Sequence, residues 1–137
     1  MARAVLGVIG GGVVWMVGFL VLAQVLALLW PDYRGHVHTW TASGVYDFTA
    51  VMSGLNILFW ILSEMAAGFL AVVLARRRQV AWVLAALLMA YMCFMHLYFV
   101  WDRLPWWYNL LVALPSGPAV LLGSRFADRP MCDAATA

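Results

Sequence analysis

The sequence predicts an all-α integral membrane protein, a bundle of four transmembrane helices with both termini in the cytoplasm. Three observations lead to this prediction. Hydrophobic residues make up 66% of the 137 residues and charged residues only 10%, which is too little polar surface for a water-soluble globule. The apolar residues form long continuous runs, and a helix needs about 20 of them to cross the hydrocarbon. No run alternates as a barrel strand does.

Four segments are long enough to span. The first covers residues 5–30, and although Arg3 precedes it as in a secretory signal, the apolar run is too long for one, so we expect it to be retained. The others cover about 52–75, 80–101 and 106–123. We therefore expect one transmembrane domain over residues 1–123, with a short cytoplasmic tail over 124–137 that lacks regular structure.

The longest connection, residues 31–51, joins the first two spans. Pro31 and Gly35 are expected to end the first helix, and Asp47 is a suitable N-cap for the second. The aromatic residues around it are typical of a belt at the level of the lipid headgroups: Trp30, Tyr33, Trp40 and Tyr46. The next connection on the same side is short, so the last two helices should be antiparallel neighbours.

The arginines predict the orientation, because the chain has no lysine. Positive residues favour the cytoplasmic side of a membrane protein. With the N-terminus inside, the cytoplasmic residues are Arg3, Arg76, Arg77, Arg78, Arg125 and Arg129, and the external ones are Arg34 and Arg103. Since these residues are divided among short loops, the net charge of +2 gives no nucleic-acid footprint.

Small residues indicate where helices pack closely. Gly7, Gly11 and Gly18 share one face of the first helix, and a similar stripe on the second consists of Ala67, Ala71 and Ala75. The spacing is compatible with a partner helix in the same chain or in another chain, and the sequence leaves both open.

Glu64 is the only formal charge between residues 48 and 75, near the middle of a span. A charge at this depth costs about 2.5–3.5 kcal/mol, so the carboxyl should be protonated, hydrogen-bonded or hydrated. One broad arc of this helix, expected to face the bundle interior, contains Ser53, Asn56, Trp60, Ser63 and Glu64. One interpretation makes Glu64 the titrating group of a proton or cation relay. The other makes it a structural carboxylic acid, bonded to a neighbour such as Tyr91.

The last span is interrupted halfway by the sequence Pro115-Ser116-Gly117-Pro118. Proline removes an amide donor and frees the carbonyl four residues earlier. Broken helices near the midplane form ion and substrate sites in transporters, so Ser116 is a candidate to face Glu64. A plain kink is the alternative.

His96 lies in the third span. It is either an axial haem ligand or an interior histidine held by a hydrogen bond, and no span contains a second histidine. His36 and His38 in the first long connection, with Asp32 and Asp47 nearby, would point the same way on an extended segment and could reach one metal ion. Solvated polar residues are the alternative there, and no metal site is predicted.

Motifs of known chemistry are missing from the sequence: there is no nucleophile elbow, phosphate-binding loop, zinc-protease helix or Cys-x-x-Cys pair. Cys93 and Cys132 fall in different environments and are expected to be free thiols. The protein is therefore expected to be no enzyme and to hold no cofactor.

A resemblance is carried by the turn and the span that follow the third helix. The residues are Trp101-Asp102-Arg103-Leu104-Pro105-Trp106-Trp107-Tyr108-Asn109-Leu110, and the span ends Leu121-Leu122-Gly123-Ser124-Arg125. The chain resembles a group of small bacterial inner-membrane proteins of uncharacterised function, which implies four helices and an inner-membrane address but no activity. Four-helix exporters of this length place their essential carboxylate in the first span, which has none here, so that assignment is disfavoured.

We expect a non-enzymatic, multi-pass protein of the bacterial inner membrane that serves as an accessory or assembly subunit. Its partners would be the lipid bilayer and other membrane helices, or a second copy, bound through the small-residue faces and aromatic belts. The alternative is a small proton- or cation-coupled transporter or channel with Glu64 as the titrating group and a lining of Asn56, Ser63 and Ser116. A haem-binding or other membrane redox protein is the third interpretation.

Overall fold

The computed structural model describes the backbone of residues 1–133 and the side chains of residues 1–127. In this part of the chain the regular elements are all helical. They are α1 (Ala2–Leu29), α2 (Pro31–Ser43), α3 (Ala50–Ala75), α4 (Gln79–Phe94), a π-helical segment (Met95–Phe99), α5 (Trp106–Ala113) and α6 (Ser116–Asp133). The α4 helix and the π-helical segment are continuous.

The four spans predicted from hydropathy are present as four long apolar helices. They are Ala2–Leu29, Ala50–Ala75, Gln79–Phe99 and Trp106–Ala127, with mean hydropathies of 2.4, 2.2, 2.0 and 1.4. This confirms the all-α, four-span fold class of a multi-pass membrane protein. The orientation in the membrane remains a prediction. One end of the bundle, the α2 end, contains α2 and the turn after the π-helical segment. The opposite end, the arginine end, contains Arg76, Arg77 and Arg78.

The connection between the first two spans is mostly helical. Pro31 lies in the first turn of α2, where a backbone N–H would have no partner within the helix, so its absence in proline costs no hydrogen bond. The helix ends at Gly44, whose φ of 71° is left-handed. The prediction that Asp47 caps the next helix is wrong. Thr49 is the N-cap, and its Oγ1 accepts from the Met52 amide at 3.3 Å.

The α3 helix is the centre of the bundle, with α1 packed on one side and α6 on the other. The glycines of α1 meet the alanine stripe of α3. A Cβ added to Gly7 would lie 2.7 Å from the Ala71 carbonyl oxygen, and one added to Gly11 would lie 3.0 Å from the Ala67 carbonyl oxygen. Gly18 lies against the side chain of Ser63, whose Oγ would be 3.3 Å from an added Cβ. The structure therefore places the partner helix of this stripe in the same chain.

The closest backbone approach joins α3 to α6, at glycines that the sequence analysis did not select. A Cβ on Gly68 would collide with the backbone carbonyl of Val120, and a Cβ on Gly123 would collide with that of Met65. Only glycine allows two helices to come this close. This crossing holds the second half of the broken span against the centre of the bundle.

The α6 helix continues past Gly123, where the sequence analysis expected a tail without regular structure. It runs to Asp133, and residues 134–137 lie outside the described part. The expectation followed from polar composition alone. The structure adds a packing reason for helix in this region, because Ala127 is 1% exposed and clusters with Val72 and Ala81.

Candidate functional site

The carboxyl of Glu64 is sealed inside the bundle. Its side chain is 0% exposed, and neither carboxyl oxygen has a hydrogen-bond partner among the described residues. The neighbouring Ser63, 2% exposed, also has a hydroxyl oxygen without a partner. Unpaired buried oxygens are rare in folded proteins because each one loses its hydration without compensation. This pair is therefore an unusual polar site; Trp15 Nε1 is another buried atom without a partner among the described residues.

The structure contradicts Tyr91 as the hydrogen-bond partner of Glu64. Tyr91 is 47% exposed, and its ring contacts Trp15 edge-to-face at 5.6 Å. The hypothesis that Glu64 is a structural carboxylic acid bonded to Tyr91 is therefore wrong about the partner.

Ser116 does lie beside Glu64, at the break in the last span. The α5 helix ends at Ala113, and Ser116 begins α6, fully buried and with its hydroxyl close to the Glu64 carboxyl. Its hydroxyl hydrogen is directed elsewhere, to the carbonyl oxygen of Val112 at 3.0 Å. Because a hydroxyl donates one hydrogen but also accepts, Ser116 Oγ keeps a lone pair available to an O–H donor.

The other polar side chains of the α3 arc form hydrogen bonds with residues of the α2 end. Asn56, 6% exposed, accepts at Oδ1 from the Tyr33 hydroxyl at 2.5 Å. The Tyr46 hydroxyl and Ser53 Oγ are also 2.5 Å apart. The structure thus separates the predicted arc into a bonded part near α2 and an unbonded part at Ser63 and Glu64.

Burial raises the pKa of both tyrosines at the α2 end. For Tyr33 the loss of hydration has the largest effect, opposed by the hydrogen bond to Asn56. For Tyr46 burial again raises the pKa and the bond with Ser53 opposes the shift. Both groups therefore resist ionisation more than a tyrosine in water does.

A partly open cavity of about 420 Å³ lies at the α2 end, lined by residues of α1, α2, α3, α4, the π-helical segment, α5 and the connections between them. Trp60 forms part of its wall, one helical turn from Glu64, which itself does not line the cavity. Trp15, Phe19 and Trp60 pack together there, with the Phe19 and Trp60 rings stacked at 3.7 Å. The Glu64 carboxyl is therefore outside the cavity, and these three rings belong to the cavity wall.

His96 lies in the π-helical segment and also lines this cavity. Its Nδ1 is 2.7 Å from Asn109 Oδ1, and Asn109 Nδ2 donates to the Leu104 carbonyl at 3.3 Å. This arrangement matches the interior, hydrogen-bonded histidine of the sequence analysis. The sequence analysis did not select Asn109, although a polar amide in an apolar span was a usable indication.

The two histidines of α2 do not converge. The segment is helical instead of extended, so residues two apart point in different directions. His36 Nδ1 lies 3.0 Å from Asp47 Oδ2, and His38 is exposed. Among the described residues no group of three or more His, Cys, Asp or Glu side chains is placed to hold a metal ion.

The fold and the buried site define a four-span helical membrane protein with an unpaired carboxyl at the centre of its bundle. Comparison with protein families, with curated proteins and with solved structures finds no match to this chain. Its function therefore has to be inferred from the site itself.

Proposed function

We propose that the protein is a small, non-enzymatic, proton-coupled transporter or channel of the bacterial inner membrane, with Glu64 as the group that binds and releases the proton. The observation that carries this proposal is the Glu64 carboxyl, which is fully buried with both oxygens unpaired. An ionisable residue at this depth is costly and is retained chiefly where it has a function. A packing role alone would be served better by an apolar side chain.

The surroundings of Glu64 favour a proton over a metal cation. A metal ion needs several oxygen ligands, whereas this site offers one carboxyl and two hydroxyls. Ser116 can respond to the protonation of Glu64. With Glu64 protonated, Ser116 donates to Val112 and makes no hydrogen bond to the carboxylic acid. With Glu64 ionised, the hydroxyl can rotate and donate to the carboxylate, which releases the Val112 carbonyl.

This rotation would couple the proton to the broken helix. Val112 belongs to α5, and Ser116 begins α6. A hydrogen bond between the two half-helices would therefore form when Glu64 takes up a proton and break when it loses one. Broken membrane helices form ion and substrate sites in transporters, which is compatible with a role for this break.

Proton flux into liposomes tests the proposal. The purified protein is reconstituted with an entrapped pH-sensitive dye, and a pH gradient is imposed across the membrane. Wild type should dissipate the gradient faster than empty liposomes, and Glu64→Gln should reduce the rate to that of empty liposomes. Asp102→Asn makes the same chemical change in an exposed turn and should keep the wild-type rate. Equal rates for Glu64→Gln and wild type, with both proteins folded, would reject the proposal.

An accessory subunit is the second candidate, and α1 is the observation that favours it. Only 6% of the α1 span is buried, against 33–50% in the other three spans. Because its glycines already pack on α3, a partner would have to contact the larger apolar side chains on the remaining face. Co-purification of a larger complex in mild detergent would support this candidate, and a protein that elutes alone at every detergent concentration tried would count against it.

A further inference from the structure

The cavity at the α2 end has a composition that a proton pathway does not require. Nine of its twenty lining residues are Phe, Trp or Tyr, and none is Asp, Glu, Lys or Arg. Its volume of about 420 Å³ lies within the roughly 300–1,000 Å³ of small-molecule sites. A charged ligand would lose its hydration here without meeting an opposite charge. An uncharged molecule with a ring fits these walls better, because aromatic rings pack well on one another.

The hydrogen bonds of His96 determine which group a ligand must offer. Asn109 Nδ2 donates to Leu104, which directs Asn109 Oδ1 towards His96. An amide oxygen only accepts, so His96 Nδ1 must carry the hydrogen. In the neutral ring Nε2 then has the lone pair and is an acceptor. No described side chain donates to Nε2, and this atom keeps accessible surface although His96 as a whole is only 8% exposed.

We propose that this cavity binds an uncharged, ring-containing lipophile with a hydroxyl group, of the phenol or quinol class, whose hydroxyl donates to His96 Nε2. The rings of the cavity wall contact the body of the molecule, and His96 selects for the hydroxyl. A lipid acyl chain in the same place would leave Nε2 without a donor, which is unfavourable for a buried polar atom. This binding goes beyond the proposed proton function and does not depend on it, since Glu64 is outside the cavity.

A matched pair of probes tests the role of the hydroxyl. Para-bromophenol carries the donor, and its methyl ether, para-bromoanisole, does not. Bromine quenches tryptophan fluorescence on contact, and Trp15, Trp40 and Trp60 line the cavity. With the full-length protein in lipid nanodiscs, the phenol should quench saturably and bind about tenfold more tightly than the ether, as one hydrogen bond at a buried acceptor provides.

Variants test whether the difference in affinity between the two probes depends on His96. His96→Phe should bind both probes with the same, weak affinity, whereas His38→Phe, which changes an exposed histidine outside the cavity, should behave as wild type. Should His96→Phe fail to fold, Ala23→Phe provides the second test, because it fills the cavity without touching the His96 bond and should weaken both probes. Glu64→Gln should keep the phenol affinity, so this result is independent of the flux assay.

Two outcomes would overturn the proposal. One is equal affinity of wild type for phenol and ether, which would mean that no acceptor is used. The other is quenching that rises without saturation and is unchanged in Ala23→Phe, which would mean that the probes only partition into lipid.

Discussion

The α3–α6 crossing and the α2 end are held together by opposite kinds of side chain. At the crossing, Gly68 and Gly123 let two backbones touch, and nothing larger fits between them. At the α2 end, aromatic rings are fixed by their polar tips, as in the bonds of Tyr33 to Asn56 and Tyr46 to Ser53. A cavity of about 420 Å³ lies among these rings.

The difference in packing between the two regions explains where the residues of the two proposed sites lie. Glu64 and Ser116 lie in the closely packed part, where water is excluded and a single proton has a large effect. His96 lies in the loosely packed part, where a molecule can enter. A closely packed region is suitable for a proton site, and the aromatic cavity is suitable for a ligand. One small bundle can therefore contain both kinds of site.

The largest effect is expected at the crossing. Gly68→Ala places a Cβ against the backbone of Val120, which cannot move as a side-chain tip can. We expect a loss of at least about 3 kcal/mol in the free energy of unfolding, the upper range for overpacked sites. Gly54→Ala on the same helix is the control, because a Cβ there meets nothing within 4 Å, and it should stabilise by about 0.5–1 kcal/mol. Detergent-titrated unfolding measures both, and equal changes would show that the crossing is not closely packed.

A smaller effect, an increase in the free energy of unfolding, is expected when Glu64 is replaced. Glu64→Met keeps an unbranched side chain of similar length and removes the unpaired oxygens. The free energy of unfolding should rise by about 1–3 kcal/mol, the cost of an unsatisfied buried polar group, while proton flux is lost. Asp102→Asn should change neither quantity. A destabilised Glu64→Met would show instead that the carboxyl is bonded in the folded protein.

The smallest effect concerns the α2 end and its pH dependence. Burial raises the pKa of Tyr33 and Tyr46 above the ordinary 10.0, so the folded protein binds their protons more tightly than the unfolded chain does. Their contribution to stability is fully present below pH 10.0 and is lost as the pH rises through the folded pKa values. Protection factors, which correct hydrogen exchange for its base-catalysed intrinsic rate, should therefore fall first in α2 at alkaline pH, while the α3–α6 crossing remains protected.

Tyr33→Phe sharpens this last test. It removes the bond to Asn56, costs about 1 kcal/mol at neutral pH, and should reduce the alkaline loss because one ionisable group is gone. Thr39→Val is a control at an exposed position of α2 whose hydroxyl bonds only locally, to the Gly35 carbonyl. Simultaneous loss of protection in α2 and α6 would mean that the two regions are not separable.

Local features of the candidate site were predictable because they follow from single residues. The depth of Glu64 follows from its position in an apolar run, and the break before Ser116 follows from Pro115. The face formed by Gly7 and Gly11 follows from their spacing, although not the location of its partner. The helical nature of α2 was missed because polar and aromatic residues there resemble a loop until tertiary contacts, such as the burial of Tyr33 at 2% exposure, are added.

The sequence alone determined the four apolar helices, because a membrane requires every spanning backbone group to be bonded within its own helix. Only the tertiary structure decided which polar atoms would be paired. Whether Tyr91 reaches Glu64, whether Asn109 orients His96, and which glycines meet a neighbouring backbone all depend on how far each helix is rotated and shifted against the next. Those quantities come from the packing of the whole bundle and leave no local pattern in the chain.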